Sequence, residues 1–228
     1  SPFSTSSIPY ATSTTLLTDS NIWQKYLADN KTTFNVHVAL NQADAHYIIL
    51  NNSTAYRYYG FKFKDNQVSP GVATYVGIRR LTLQTGSNYV SVYPTDGGSN
   101  ATVTSTINRA SQGGNDYYPY CAATTTTSLV GGEGGTGCFS WMTPLNTVSD
   151  QRFHFDLGNA TTVSRIYYEN FHDSGSNGAI GVKTFSIWGS NSATDFNALT
   201  YPTDGTWTQI KTTSSTLSEH IGIGEDNP

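Results

Sequence analysis

The chain has 228 residues, of which 12% are charged, while Thr, Ser and Asn together make up about a third. Acidic residues number 16 and basic residues 12, a formal charge of −4, which argues against a cationic nucleic-acid binder. So sparse a charge pattern also excludes coiled coils and helical repeats, and 15 Tyr, 10 Phe and 4 Trp carry too much apolar surface for a disordered chain. No run of 18 apolar residues occurs, so no membrane-spanning helix is expected. Ser1 to Thr18 lacks a basic start and a continuous apolar stretch, so it does not read as a signal peptide. A mature or excised segment of a longer product is compatible with this.

In chain order, Ile22 to Ala28 is the only weakly helical stretch. Tyr47 to Leu50, the aromatic-rich Tyr56 to Phe63, and Tyr75 to Leu83 then read as strands. In the third, apolar alternation slips by one at Arg79-Arg80, which is what a β-bulge produces. Tyr89 to Tyr93 and Ala101 to Ile107 are shorter strand candidates. Tyr-Pro-Thr-Asp-Gly occurs at 93–97 and again at 201–205, a turn with Pro early and Gly where positive φ is required. Arg152 to Leu157 alternates, with Phe153, Phe155 and Leu157 inward and Arg152, His154 and Asp156 on a wet face. Gly158-Asn159 reads as the turn that ends it. Val163 to Tyr168 and Lys183 to Trp188 follow, separated by a loop over Asp173 to Gly178. No ten-residue crossover helices separate the strands, which disfavours a parallel α/β fold. The expected class is all-β, an antiparallel β-sandwich.

An internal echo organises the chain. Trp23 is followed by Phe34, His37, Val38, Ala39 and Leu40, and Trp207 by Leu217, His220, Ile221, Gly222 and Ile223. After the first copy come three strands; after the second the sequence stops. Each unit taken alone lacks strands that the other has, and an incomplete sandwich exposes unpaired backbone edges. Three arrangements resolve this: a permuted domain completed within one chain, strand complementation between subunits, or a fragment of a tandem array.

The later segments resemble the discoidin, or coagulation factor 5/8 type C, superfamily of galactose-binding-like jelly rolls. The matching text is Phe155-Asp156-Leu157-Gly158, Thr162-Val163-Ser164-Arg165-Ile166, and Lys183-Thr184-Phe185-Ser186-Ile187-Trp188-Gly189-Ser190-Asn191. Tyr56 to Phe63 and Tyr75 to Leu83 are similar to the last two strands of that fold. The resemblance implies residues 1–88 as the C-terminal part of a module, 89–117 as linker or extra strands, and 118–228 as the N-terminal and central part. It implies ligand recognition by loops at one end of the barrel, of glycans, cell surfaces or lipid head groups, and it does not imply catalysis. The family's frequent Cys pair joins the domain termini, whereas Cys121 and Cys138 are close in sequence. They read as one local disulfide in an oxidising setting or as two free thiols.

Sugar binding calls for a flat ring against C–H faces and fixed polar groups for the hydroxyls. One candidate surface combines Tyr117, Tyr118, Tyr120 and Trp141 with Asn115 and Asp116; a second loop offers His172, Asp173, Ser174 and Asn177. The ordinary reading of these aromatics is core or rim packing. Asp96 and Asp204 lie in Asp-Gly turns that suit a structural calcium, the one cofactor considered. His37 and His220 read as structural, and His46, His154 and His172 show no zinc spacing. Asn51, Asn52, Asn100 and Asn159 stand in glycosylation sequons. Gly-x-Ser-x-Gly does not occur, and Gly131-Gly132-Glu133-Gly134-Gly135 is not followed by Lys-Ser/Thr.

The leading expectation is a non-enzymatic module, extracellular or on a cell or virion surface, that recognises carbohydrate or another surface ligand. A structural subunit of a fibre, sheath or virion built by strand complementation is the alternative, with self-association or neighbouring modules as partners. An accessory module of a secreted hydrolase is the third.

Overall fold

The structure is a computed structural model, and it describes residues 46–67, 75–94, 98–123, 137–138, 140–173 and 177–216. The Trp23–Leu40 half of the internal echo, residues 217–223 of its other half, the 22–28 helix, His37, His220, Asp96, Ser174 and the 131–135 glycine run lie outside the described residues.

Two five-stranded antiparallel sheets pack face to face as a β-sandwich of jelly-roll-like character. The first joins β1 (His46–Ile49), β10 (Val163–Asn170), β3 (Gly77–Thr85) and β4 (Val90–Val92) in that order, with β8 (Trp141–Met142) pairing the start of β3. The second runs β12 (Thr208–Thr216), β11 (Thr184–Ser190), β2 (Tyr56–Phe63), β9 (Gln151–Thr161) and β5 (Val103–Ser105). A two-residue parallel ladder, β6 (Asn115–Asp116) with β7 (Gly137–Cys138), lies apart from both. Strands from the first and last thirds of the chain therefore alternate within the same sheets. β2 lies between β9 and β11, and β10 between β1 and β3. The stretch at 89–117 supplies β4, β5 and β6.

Alternation explains the core. Tyr59, Phe61 and Phe63 of β2, Phe153 and Phe155 of β9, and Phe185 and Ile187 of β11 face Ile48, Ile78, Leu81, Leu83, Ile166 and Tyr168 of the other sheet, all buried. Residues two apart on one face bring rings together: Phe61 and Phe63 centroids are 5.8 Å apart, and those of Phe153 and Phe155 5.3 Å. Each such ring contributes on the order of 2–3 kcal/mol by leaving water. The slip in β3 is a bulge. Glu169 pairs with Arg80 and Asn170 with Ile78, so Arg79 is the extra residue, and both arginines leave the inner face to Ile78 and Leu81.

Two expectations are corrected. Gly158-Asn159 does not end the strand: β9 continues to Thr161, and Gly158 at φ 77° lies in the stretch where the pairing with β2 jumps from Asp156–Tyr58 to Thr161–Tyr56. The turn residues serve a bulge, because Gly tolerates positive φ and the partner strand skips past. Nor is the outer row of β9 wet, since Arg152 and His154 are fully buried. A short helical turn, α1 (Ala193–Asn197), and the segment to Trp207 fold back over this face. Gly60 makes room, because a Cβ there would meet Trp207 Cη2 at 3.1 Å and His154 Cδ2 at 3.2 Å.

Burial holds His154 neutral. Its pKa falls to about 4, chiefly from loss of hydration, against the opposing bond to the Phe196 carbonyl. That carbonyl can only accept, so Nδ1 carries the proton, at 2.9 Å. A base with a depressed folded pKa binds fewer protons than the unfolded chain between about 4 and the ordinary 6.5. Its stabilisation is thus complete above 6.5 and is lost as pH falls towards 4, by up to roughly 3 kcal/mol. Urea unfolding at pH 7 and pH 4.5 should show this fall in the native protein. A slope unchanged in His154→Gln would assign it elsewhere.

Candidate functional site

The end of the sandwich where β3 starts and β10 finishes collects both groups of residues picked out from the sequence. Tyr117, Met142 and Phe171 form a buried satellite cluster, with Tyr75 and Ile180 packed against it. Through Tyr117 and Phe171 the 115–120 loop adjoins the chain just after β10. The Arg109 guanidinium lies 5.0 Å from the Tyr75 ring centroid and 4.9 Å from that of Tyr117, bracing the cluster by cation–π contacts.

Covalent and backbone ties fix the first loop. Cys121 and Cys138 form a disulfide with their Cα atoms 5.0 Å apart. It links β7, whose partner β6 holds Asn115 and Asp116, to a 3-10 turn at Pro119–Ala122. Pro opens that turn with its φ preset and no N–H to satisfy. Its geometry stacks the half-buried Tyr118 and Tyr120 rings, 5.5 Å between centroids and 12° between planes. Burial raises the Tyr120 pKa, and the nearby Asp116 carboxylate raises it further. Asp116 also accepts the Ser111 hydroxyl.

The remaining candidates divide. Trp141 is fully buried, its ring 5.6 Å from Phe63 and 5.4 Å from Phe153, and its Nε1 donates to Ser105 Oγ at 3.0 Å and to the Ile107 carbonyl at 3.2 Å. No ring face is left for a sugar, so the stacking role expected of it gives way to a core role. Tyr117 is buried as well. His172 is also internal: its Nε2 lies 3.1 Å from Glu169 Oε1, while Arg79 donates to its carbonyl at 2.9 Å. Asp173, next in the chain, is half exposed, and Asn177 is exposed. The groups able to meet a ligand at this end are thus Tyr118, Tyr120, Asn115, Asp116, Asp173 and Asn177.

Asp204 does not suit calcium. It accepts Lys62 Nζ at 2.8 Å and Arg152 Nη2 at 2.6 Å, two cations that fulfil the role the metal would have. Among the described residues no group of three His, Cys, Asp or Glu is placed to hold a metal ion. Of the sequon residues, Asn51, Asn100 and Asn159 are exposed. The Asn52 amide is engaged by the Thr54 and Val163 carbonyls at 2.9 and 3.3 Å.

Sequence reasoning missed a groove at the opposite end. It has a volume of about 300 Å³ and is lined by Ile49, Leu50, Asn51, Gly86, Ser87, Tyr89 and Ser164. Its walls come from the end of β1, the β3–β4 turn and the start of β10, and no local motif unites them. The one local signal is Tyr89, a bulky residue closing a Gly-Ser-Asn turn.

Compared with family models, curated proteins and solved structures, the chain matches none of them.

Proposed function

We propose that this chain is a non-catalytic recognition module that binds carbohydrate, or a similarly hydroxyl-rich surface ligand, through the 115–120 platform. The observation that carries this reading is the stacked Tyr118–Tyr120 pair beside Asp116, held by a disulfide and a proline-started turn. A half-exposed ring offers a flat apolar face for sugar C–H groups, and Asn115, Asp116 and Asn177 offer polar atoms for the hydroxyls. Rigid support reduces the ordering cost of binding. The disulfide favours an oxidising location, outside the cell or on a cell or virion surface. A discoidin-like relationship draws support from the placement of its motifs, which lie on β9, β10 and β11 of one sandwich.

Glycan-array screening followed by calorimetric titration tests the proposal. Tyr118→Ala should weaken the best ligand at least tenfold, as expected for an aromatic anchor, with little change in thermal midpoint because the ring is half exposed. Unaltered affinity in that variant would remove the platform from consideration.

A further inference from the structure

We infer that the groove at the β3–β4 turn is a second binding site, distinct from the platform, for one compact, neutral, polyhydroxylated ring such as a monosaccharide unit. Its lining holds no ionisable acid or base other than the Tyr89 phenol. It combines apolar side chains (Ile49, Leu50), an aromatic ring (Tyr89), one amide (Asn51) and two hydroxyls (Ser87, Ser164). That is the mixture needed for C–H faces and uncharged hydroxyls. A volume of about 300 Å³ lies at the lower end for small-molecule sites, which favours one ring over an extended chain.

The walls are tied together without a ligand. Leu50 N donates to the Ser164 carbonyl at 2.9 Å, Ser164 Oγ to the Gly86 carbonyl at 3.0 Å, and Thr85 Oγ1 to the Thr162 carbonyl at 2.7 Å. Tyr89 supplies the stronger argument. It adopts φ 52°, in the left-handed region where Gly or Asn would be accommodated more easily. Its ring is positioned by the Arg165 guanidinium, 3.6 Å from the centroid, which is backed by the Tyr47 ring at 4.2 Å and steered by a 2.6 Å bond from Nε to Gln84 Oε1. A strained aromatic braced from behind and lining a groove is the arrangement expected where a ring is retained for contact with a ligand.

The test uses ¹⁵N-labelled protein titrated with the methyl glycosides of glucose, galactose, mannose and N-acetylglucosamine. At least one should produce saturable shifts at the Asn51, Gly86 and Ser87 amides. Tyr89→Asn, which suits the left-handed backbone, should keep or raise the thermal midpoint while weakening those shifts at least tenfold in affinity. Asn51→Ala, at an exposed position, should weaken them several-fold and decides the matter if Tyr89→Asn fails to fold. Absence of groove shifts with all four probes, or equal affinity in the deciding variant, overturns the inference. Shifts at the Tyr118, Tyr120, Cys121 and Ala122 amides report the platform separately, so either site can fail without the other.

Discussion

Trp141→Ala should destabilise the protein by about 3–5 kcal/mol in urea unfolding, the range for deleting a large aromatic from a close-packed interior. The indole is wholly enclosed and joins two levels of structure. Its ring packs on Phe63 and Phe153 of one sheet, while its own strand, β8, pairs with Gly77 and Ile78 of the other. Its N–H also anchors Ser105 and Ile107 at the edge of β5. Trp141→Phe retains most of the ring and loses the donor, so its cost should be nearer 1–2 kcal/mol. Where the Ala variant is still folded, platform affinity should be preserved. A loss below 1 kcal/mol would mean that the indole is not a core residue.

Arg152→Ala should be similarly damaging, about 3–5 kcal/mol, as when one member of a buried charged network is removed. The guanidinium is fully buried on the outer face of β9, where loss of hydration lowers its pKa against the raising influence of Asp204. Nε donates to the Thr200 carbonyl at 2.9 Å. Nη2 donates to the carbonyls of Tyr201, at 3.3 Å, and Thr203, and to Asp204 Oδ1 at 2.6 Å. One side chain therefore fastens the whole 200–204 segment to the sheet. Lys should not rescue it, because an ammonium lacks the planar fork that reaches several acceptors at once. Hydrogen exchange offers a sharper reading than the midpoint: amides near Trp207 should lose protection before those of β2 and β9. Uniform loss across the sheet, or a cost under 1 kcal/mol, would show that this arginine does not hold the segment.

The inner faces were legible because a period of two repeats over enough residues to be seen, as in Tyr59, Phe61 and Phe63 opposite Phe153 and Phe155. The bulge at Arg79 was legible for the same reason, since one extra residue breaks the period at a single point. Outer faces were not. Arg152 and His154 look like part of a solvated row, and only the return of 193–207 buries them; that segment carries four Thr, one Asn and no Ser, and has no period. Trp141 was misplaced because two residues of strand carry no pattern, and its partners at 63, 77 and 153 are distant in sequence. At the platform, Tyr118 and Tyr120 emerged from composition alone, but their stacking depends on the Pro119 turn and the disulfide. The groove left only Tyr89 as a local signal, because its walls meet only after β1, β3 and β10 have paired.

The interleaving of early and late strands also constrains how the chain reaches its native state. Arg57 on β2 contacts Asp156, 99 residues further on, and Asn191, 134 further on. During synthesis β2 must therefore wait, with both backbone edges unsatisfied, while the strands that flank it are made. Such remote closure favours slow folding, on the millisecond-to-second scale typical of β-rich topologies, and a vulnerable nascent stage in which an aromatic strand is open to mispairing. Chaperone capacity, more than final stability, is then the variable that should govern recombinant yield.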